Sequence, residues 1–185
     1  MDAAPFKPAC NRMMFWSKTK DVVHDFTSKK KCYVTIEDTF LGSVLDGLTW
    51  CSKDGSKDTF TSDCPGWSDC VNNTVRSFWT KASASFAQVA CGNVSVMLNG
   101  SISTPFNANS IFASIEAKNF NPAHMKSLQV VLVTKEKEVS NCGDVSLKDL
   151  QKELAQGIKY NCQEVTESHL HDCASHSEKP CGPCW

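Results

Sequence analysis

The sequence predicts an α/β protein: a helical N-terminal part packed against a small C-terminal parallel β-sheet flanked by helices, the whole stapled by disulfides. Three observations carry that expectation. Apolar residues recur at helical spacing across residues 74–90, Val130-Val131-Leu132-Val133 is a continuous β-branched and apolar run, and eleven cysteines are spread along 185 residues. A chain of that length buries an apolar core unaided, so the cysteines point to an oxidising compartment rather than to a core too small to hold.

The first half reads helical. Val22, Val23 and Phe26 form a short stripe after Ser17, and Phe40, Leu41, Val44, Leu45 and Leu48 form a second, with Asp38 or Thr39 as its N-cap. Residues 74–90 make the strongest helix, its stripe running through Val75, Phe78, Trp79, Ala82, Phe86 and Val89. Trp79 and Ser83, one helical turn apart, lie on a flank of that stripe, where a helix can border a cleft. In the second half, 94–98 reads as a strand ending at the Asn99-Gly100 turn, and 130–133 as a strand buried on both faces of a parallel sheet. Ser146 is the expected cap of a helix with Leu147, Leu150 and Leu154 on one side, broken by Gly157 before a strand at 158–162. Strand, helix and strand at this spacing predict a βαβ crossover. The expected divisions are 1–91, mainly helical; 92–166, α/β with the parallel sheet; and 167–185, a Cys/His-rich disulfide tail lying on the surface.

The formal net charge is −1 with both signs interspersed, so no basic field favours a nucleic-acid partner. Lys29-Lys30-Lys31 reads as a solvated helix end. The sequence has no run of eighteen apolar residues and its first residues lack the apolar core of a signal peptide, so no membrane anchor is expected within it. Cysteine content and the sequons at Asn72, Asn93 and Asn99 point instead to the extracellular face of the plasma membrane or to secretion. The odd cysteine count leaves at least one thiol without an internal partner.

Short blocks spread along the chain bring indoles and carboxylates into one order: Phe15-Trp16-Ser17, Thr35-Ile36-Glu37-Asp38-Thr39, the helix carrying Asp46, Ser77-Phe78-Trp79 with Ser83, and Glu116 as the single acid of Ile111-Phe112-Ala113-Ser114-Ile115-Glu116-Ala117. Together they resemble the ADP-ribosyl cyclase and cyclic ADP-ribose hydrolase family of animal cell-surface NAD glycohydrolases. The resemblance runs to about Cys173, and the chain matches the later part of a family member, so it reads as N-terminally truncated relative to that family.

The resemblance implies cleavage of the nicotinamide–ribose bond of NAD or NADP, with NAD as substrate and no cofactor or metal. Its products would be ADP-ribose and cyclic ADP-ribose, and cyclic ADP-ribose would itself be hydrolysed. The pyridinium leaves as a neutral base and needs no proton donor, so the protein must stabilise an oxocarbenium-like ribose and orient a flat cation. A carboxylate does the first, and indole faces do the second through cation–π contacts of roughly 0.5 to 2 kcal/mol each. The resemblance gives Glu116 the sugar-side role, whereas its sequence neighbours alone suggest an outward-facing strand glutamate. It makes Glu37 the acid at the nicotinamide carboxamide, Trp16 and Trp79 the stacking indoles, and Asp46 a further pocket acid. It places Ser17, Lys18, Ser83, Ser110 and Phe112 at substrate contacts. Ile111 stands where the family usually has a hydroxyl residue, and Ala113 where it has glycine.

The pairings that the resemblance implies are Cys10–Cys91, Cys51–Cys64, Cys142–Cys162, and Cys173 with Cys181 or Cys184. Cys70 is left over because its family counterpart bonds upstream, and Cys32 has no counterpart. Cys181-Gly182-Pro183-Cys184 spells a redox motif, yet no helix follows it to acidify the thiol. His169, His171, Cys173 and His176 fit no closed zinc spacing. A second expectation, from a different class, is an inactive surface or secreted module of the same fold that binds a receptor partner or a second copy of itself.

Overall fold

Residues 5–7, 9–176 and 184–185 are described in the computed structural model of the chain. Four parallel strands lie in sequential order, β1 (Met14–Ser17), β2 (Gly92–Asn99), β3 (Met125–Thr134) and β4 (Lys159–Thr166). The helices are α1 (Lys20–Lys29), α2 (Phe40–Leu45), α3 (Thr74–Gln88), α4 (Ala117–Asn119), α5 (Val145–Glu153) and α6 (Glu167–Ser175), with a π-helical turn at Phe112–Glu116 running into α4.

Alternation along the strands builds two cores. Phe15, Val96, Val130 and Leu132 face one side of the sheet, and Met14, Met97, Val131 and Val133 face the other. Sequential strand order puts crossovers of one hand on one face. There α3, the π-helical turn and α5 pack through Phe86, Phe112, Leu147 and Leu150. α1 and α6 close the opposite face through Val23, Phe26, Leu170 and Ala174. The part of the chain expected to be mainly helical therefore supplies an edge strand: β1 pairs parallel with β2, Met14 opposite Ser95 and Ser17 opposite Leu98. Four residues are too few to show an alternation, and the partner strand lies far along the chain.

The βαβ unit forms as β3–α5–β4, but its cap is not Ser146. Asp144 caps α5, accepting from the Ser146 N–H at 2.8 Å and from its hydroxyl at 2.7 Å, because an ionised oxygen is the stronger acceptor. Thr39 caps α2 and Asn73 caps α3, each side chain accepting the N–H three residues on. The apolar stripe expected on α2 faces solvent, with Phe40 78%, Val44 53% and Leu48 52% exposed. α2 docks instead through Gly42, where an added Cβ would collide with the Ile36 carbonyl oxygen.

The described part of the tail, residues 167–176 and 184–185, is also more ordered than its composition suggests. Thr166 caps α6 by accepting from the His169 N–H at 3.2 Å, and Trp185 packs on Phe26 and Tyr33, centroids 5.5 Å apart in each case. Lys30, expected in solvent, is buried with its ammonium 3.5 Å from the His176 carbonyl at the end of α6. Disulfides join Cys10–Cys91, Cys51–Cys64, Cys142–Cys162 and Cys173–Cys184. Cys32 is also disulfide-bonded, and Cys70 is an exposed free thiol. Cys184 is thus the partner of Cys173, while the alternative partner Cys181 lies outside the described residues. Among the described residues no helix is long and apolar enough to cross a membrane.

Candidate active site

The site opens at the carboxyl end of β1, the end at which α/β sheets present ligand-binding groups. After buried Ser17 the backbone turns through Lys18 at φ 59°, a left-handed conformation that costs a lysine about 1 kcal/mol. Asn99 at the end of β2 holds that turn, its amide donating to the Lys18 carbonyl at 3.1 Å. Trp16, Ser17 and Lys18 are thereby fixed at one wall.

The next wall is the turn from Thr35 to Thr39. The Asp38 carboxylate accepts from the Thr35 N–H at 2.9 Å and from its hydroxyl at 3.0 Å, and the Thr39 hydroxyl donates to the Ile36 carbonyl at 2.6 Å. Glu37, held between them, accepts the indole N–H of Trp16 at 3.2 Å. Asp46 ends α2 and pairs with Lys20 at 3.1 Å on the rim, where solvent makes such a bridge worth little.

α3 brings Trp79 and Ser83 from the other side. Phe78 backs Trp79 edge-on at 5.2 Å and is itself backed by Trp50 at 5.7 Å. Opposite them the π-helical turn carries Glu116, closed by the Ala117 N–H donating to the Phe112 carbonyl. Such turns re-aim side chains and recur at functional sites. The sequence reading of this run as an outward strand is therefore corrected: Glu116 is helical and only 5% exposed. Burial pushes its carboxyl up to about 8; a hydrogen bond with Ser83 opposes that rise and the charge of nearby Glu37 adds to it.

These walls enclose one cavity of about 410 Å³. Trp16, Ser17, Lys18, Glu37 and Asp46 line it from the β1 and α2 side, Trp79 and Ser83 from α3, and Ser110 and Glu116 from the π-helical segment. Ser110 also caps that segment, its hydroxyl accepting from the Ala113 N–H at 3.1 Å. Phe112 is the exception among the expected contacts. It is 1% exposed and turned away into the core, against Phe15, Phe106 and Phe120. Trp67, Lys20 and Asn109 line the cavity without having been expected there. Trp67 carried a usable signal: a large aromatic in a polar, Cys- and Gly-containing loop, with no periodicity to bury it.

Among the described residues no cluster of His, Cys, Asp or Glu is arranged to hold a metal. Cys173 and Cys184 are bonded to each other, which removes both from metal or thiol chemistry in the oxidised protein. The sequon residues Asn72 and Asn93 are exposed, and Asn99 is half-buried by its bond to Lys18.

A family model described as ADP-ribosyl cyclase matches residues 1–182. ADP-ribosyl cyclase/cyclic ADP-ribose hydrolase 1 of Rattus norvegicus is 39% identical over 176 residues, covering 92% of this chain and 58% of the rat protein. The Aplysia kurodai ADP-ribosyl cyclase/cyclic ADP-ribose hydrolase is 34% identical over 164 residues, covering 86% of this chain and 58% of its own. The chain thus spans 58% of the length of each of these relatives. Porcine CD38 complexed with a covalent intermediate, ribo-F-ribose-5'-phosphate, superposes with a TM-score of 0.84 at 36% identity, over 90% of this chain and 73% of that one. Aplysia cyclase complexed with substrate NGD and product cGDPR superposes at 0.79 with 30% identity, over 94% and 71% respectively. Sequence, fold and cavity agree, and the chain belongs to the ADP-ribosyl cyclase/cyclic ADP-ribose hydrolase family.

Proposed function

We propose that this chain carries the site at which the nicotinamide–ribose bond of NAD or NADP is cleaved, with Glu116 stabilising the ribosyl cation. One observation supports the reading above others: the only strongly buried carboxylate of the cavity shares it with the indoles of Trp16 and Trp79. A pyridinium stacked between such rings presents its ribose to that carboxylate. In the free protein Glu116, raised to about 8, is mostly protonated at neutral pH. A cation seated beside it favours the ionised form, so substrate binding is coupled to release of one proton.

Glu37 and Asp46 complete the nicotinamide side, and Ser17, Lys18, Ser83 and Ser110 take the ribose and phosphates. Water attack on the cation gives ADP-ribose. Attack by the adenine of the same molecule gives cyclic ADP-ribose, and hydrolysis of that product uses the same carboxylate. The porcine protein's covalent intermediate and the Aplysia protein's pair of substrate NGD and product cGDPR are consistent with such a branching. Its disulfides and its exposed sequons Asn72 and Asn93 support an extracellular or secreted location. The deciding experiment is nicotinamide release by the oxidised chain and by Glu116→Gln: the wild type turns over and the variant loses at least about a hundredfold. Equal rates would end the assignment of Glu116.

A second reading, a binding module without turnover, is favoured by the exposed apolar residues Phe40, Val44 and Val71 and the free thiol of Cys70. It fits a surface-receptor partner or a homodimer. No nicotinamide release by correctly oxidised protein would select it.

A further inference from the structure

We propose that Asn119 is a positioning residue for Glu116, acting as a brace between the π-helical turn and α3. The inference rests on the reading of Glu116 given above and deepens it. The Asn119 amide donates to the Ile115 carbonyl at 2.8 Å, and its own carbonyl accepts from the Gln88 side-chain amide at 3.1 Å. The Ile115 carbonyl belongs to the peptide unit that leads into Glu116, so fixing that plane fixes the direction in which the Glu116 side chain leaves the backbone. Neither residue lines the cavity.

The brace spans an irregular stretch of backbone. A π-helical turn widens the hydrogen-bond ladder, and α4 lasts only from Ala117 to Asn119 before Phe120 becomes extended. Side-chain donors commonly supplement the last carbonyls of so short a helix. Asn119 supplies one donor from its side chain and then ties it to the last residue of α3 through Gln88. Five residues back along the same helix, about 7.5 Å, stands Ser83, which hydrogen-bonds Glu116. One side chain therefore spans the two elements whose relative placement decides whether Ser83 reaches the carboxylate.

The test uses Asn119→Ala and Gln88→Leu, the latter at an exposed position that breaks only the link to α3. The readouts are the titration midpoint of the Glu116 carboxyl, followed by carbon-13 NMR, and the split between kcat and KM for NAD. Expected is a midpoint moved upward in both variants, because Ser83 opposes the rise. A fall of tenfold or more in kcat accompanies it, with KM within twofold. Ser83→Ala should move the midpoint the same way, and adding Asn119→Ala to it should change little further. An unmoved midpoint, or shifts that simply add, would overturn the brace. If the wild-type chain releases no nicotinamide, the cleavage reading fails while the NMR midpoint still tests Asn119.

Discussion

Trp16 and Glu37 are joined by a single hydrogen bond of 3.2 Å, indole N–H to carboxylate, that registers the end of β1 against the turn preceding α2. Because both residues line the cavity, this bond sets the tilt of the Trp16 ring there and fixes a negative charge near Glu116. Glu37→Gln keeps an oxygen acceptor for the indole and removes the charge; Glu37→Leu removes both. The glutamine variant is expected to hold KM for NAD within about threefold and to shift the acidic limb of kcat/KM to lower pH, since the Glu37 charge raises Glu116. The leucine variant is expected to raise KM tenfold or more, on the order of 1.4 kcal/mol of lost orientation. Identical behaviour of the two would mean that the bond orients nothing.

If Glu116 acts as proposed, its raised carboxyl also sets the pH profile. Only the ionised form of Glu116 stabilises a ribosyl cation, and in the free protein that form appears as pH rises through about 8. Expected is a kcat/KM that climbs up to tenfold per unit below that point and levels above it. The limb in kcat should lie lower, because bound pyridinium favours the anion. A kcat/KM limb in the ordinary carboxylate range would contradict the burial of Glu116.

Much of the cavity lining was legible through the family resemblance, which singles out Trp16, Glu37, Trp79, Ser83 and Glu116, whereas the local pattern around Glu116 alone pointed to an outward strand. The helices α1, α3 and α5 were legible locally, since their burial follows a helical period. What was hidden depends on distant partners. β1 is a strand only because β2 pairs with it, and the stripe of α2 is exposed because Gly42 makes the closer contact. Phe112 points into the core because a π-helical turn rotates it there, and no local pattern in an apolar run distinguishes that from a strand.

Stability should show the buried acid directly. A folded-state value raised above the ordinary one contributes stability that is complete below the ordinary carboxylate value and is lost as pH rises through about 8. At pH 9 the wild type must hold a buried anion, at a penalty of at most about 5 kcal/mol by linkage. Glu116→Gln has no such group. Melting temperatures of wild type and variant should coincide within about 2 °C near pH 4 and diverge by several degrees at pH 9, the variant higher. A constant difference across that range would show that Glu116 is solvated.

Gly42 gives a separate handle on the Glu37 turn. Its Cβ position is occupied by the Ile36 carbonyl and crowded by the Glu37 backbone, neither of which can swing aside as a side chain could. Gly42→Ala must push α2 off the turn, which is expected to destabilise the protein by roughly 1 to 3 kcal/mol. KM for NAD should rise with it, because the displaced turn carries Glu37. Chemical denaturation and initial rates on the same samples check both, and an unchanged KM would show that α2 does not hold the turn.

Phe112 distinguishes a core role from a substrate contact. Its ring lies 6.0 Å from Phe106, 6.3 Å from Phe120 and 6.4 Å from Phe15, in tilted or edge-on packing, and none of its surface reaches the cavity wall. Phe112→Leu keeps an apolar side chain but gives up ring contacts and leaves a small void, so about 1 to 2 kcal/mol of stability should be lost. Well below the melting transition, KM for NAD should stay within twofold of wild type. Ser110→Ala, two residues earlier and at the cavity wall, is expected to do the reverse: raise KM several-fold while costing about 1 kcal/mol for the lost cap. If Phe112→Leu instead raised KM tenfold at unchanged stability, the ring would have to face the substrate, and the rotation imposed by the π-helical turn would be wrong.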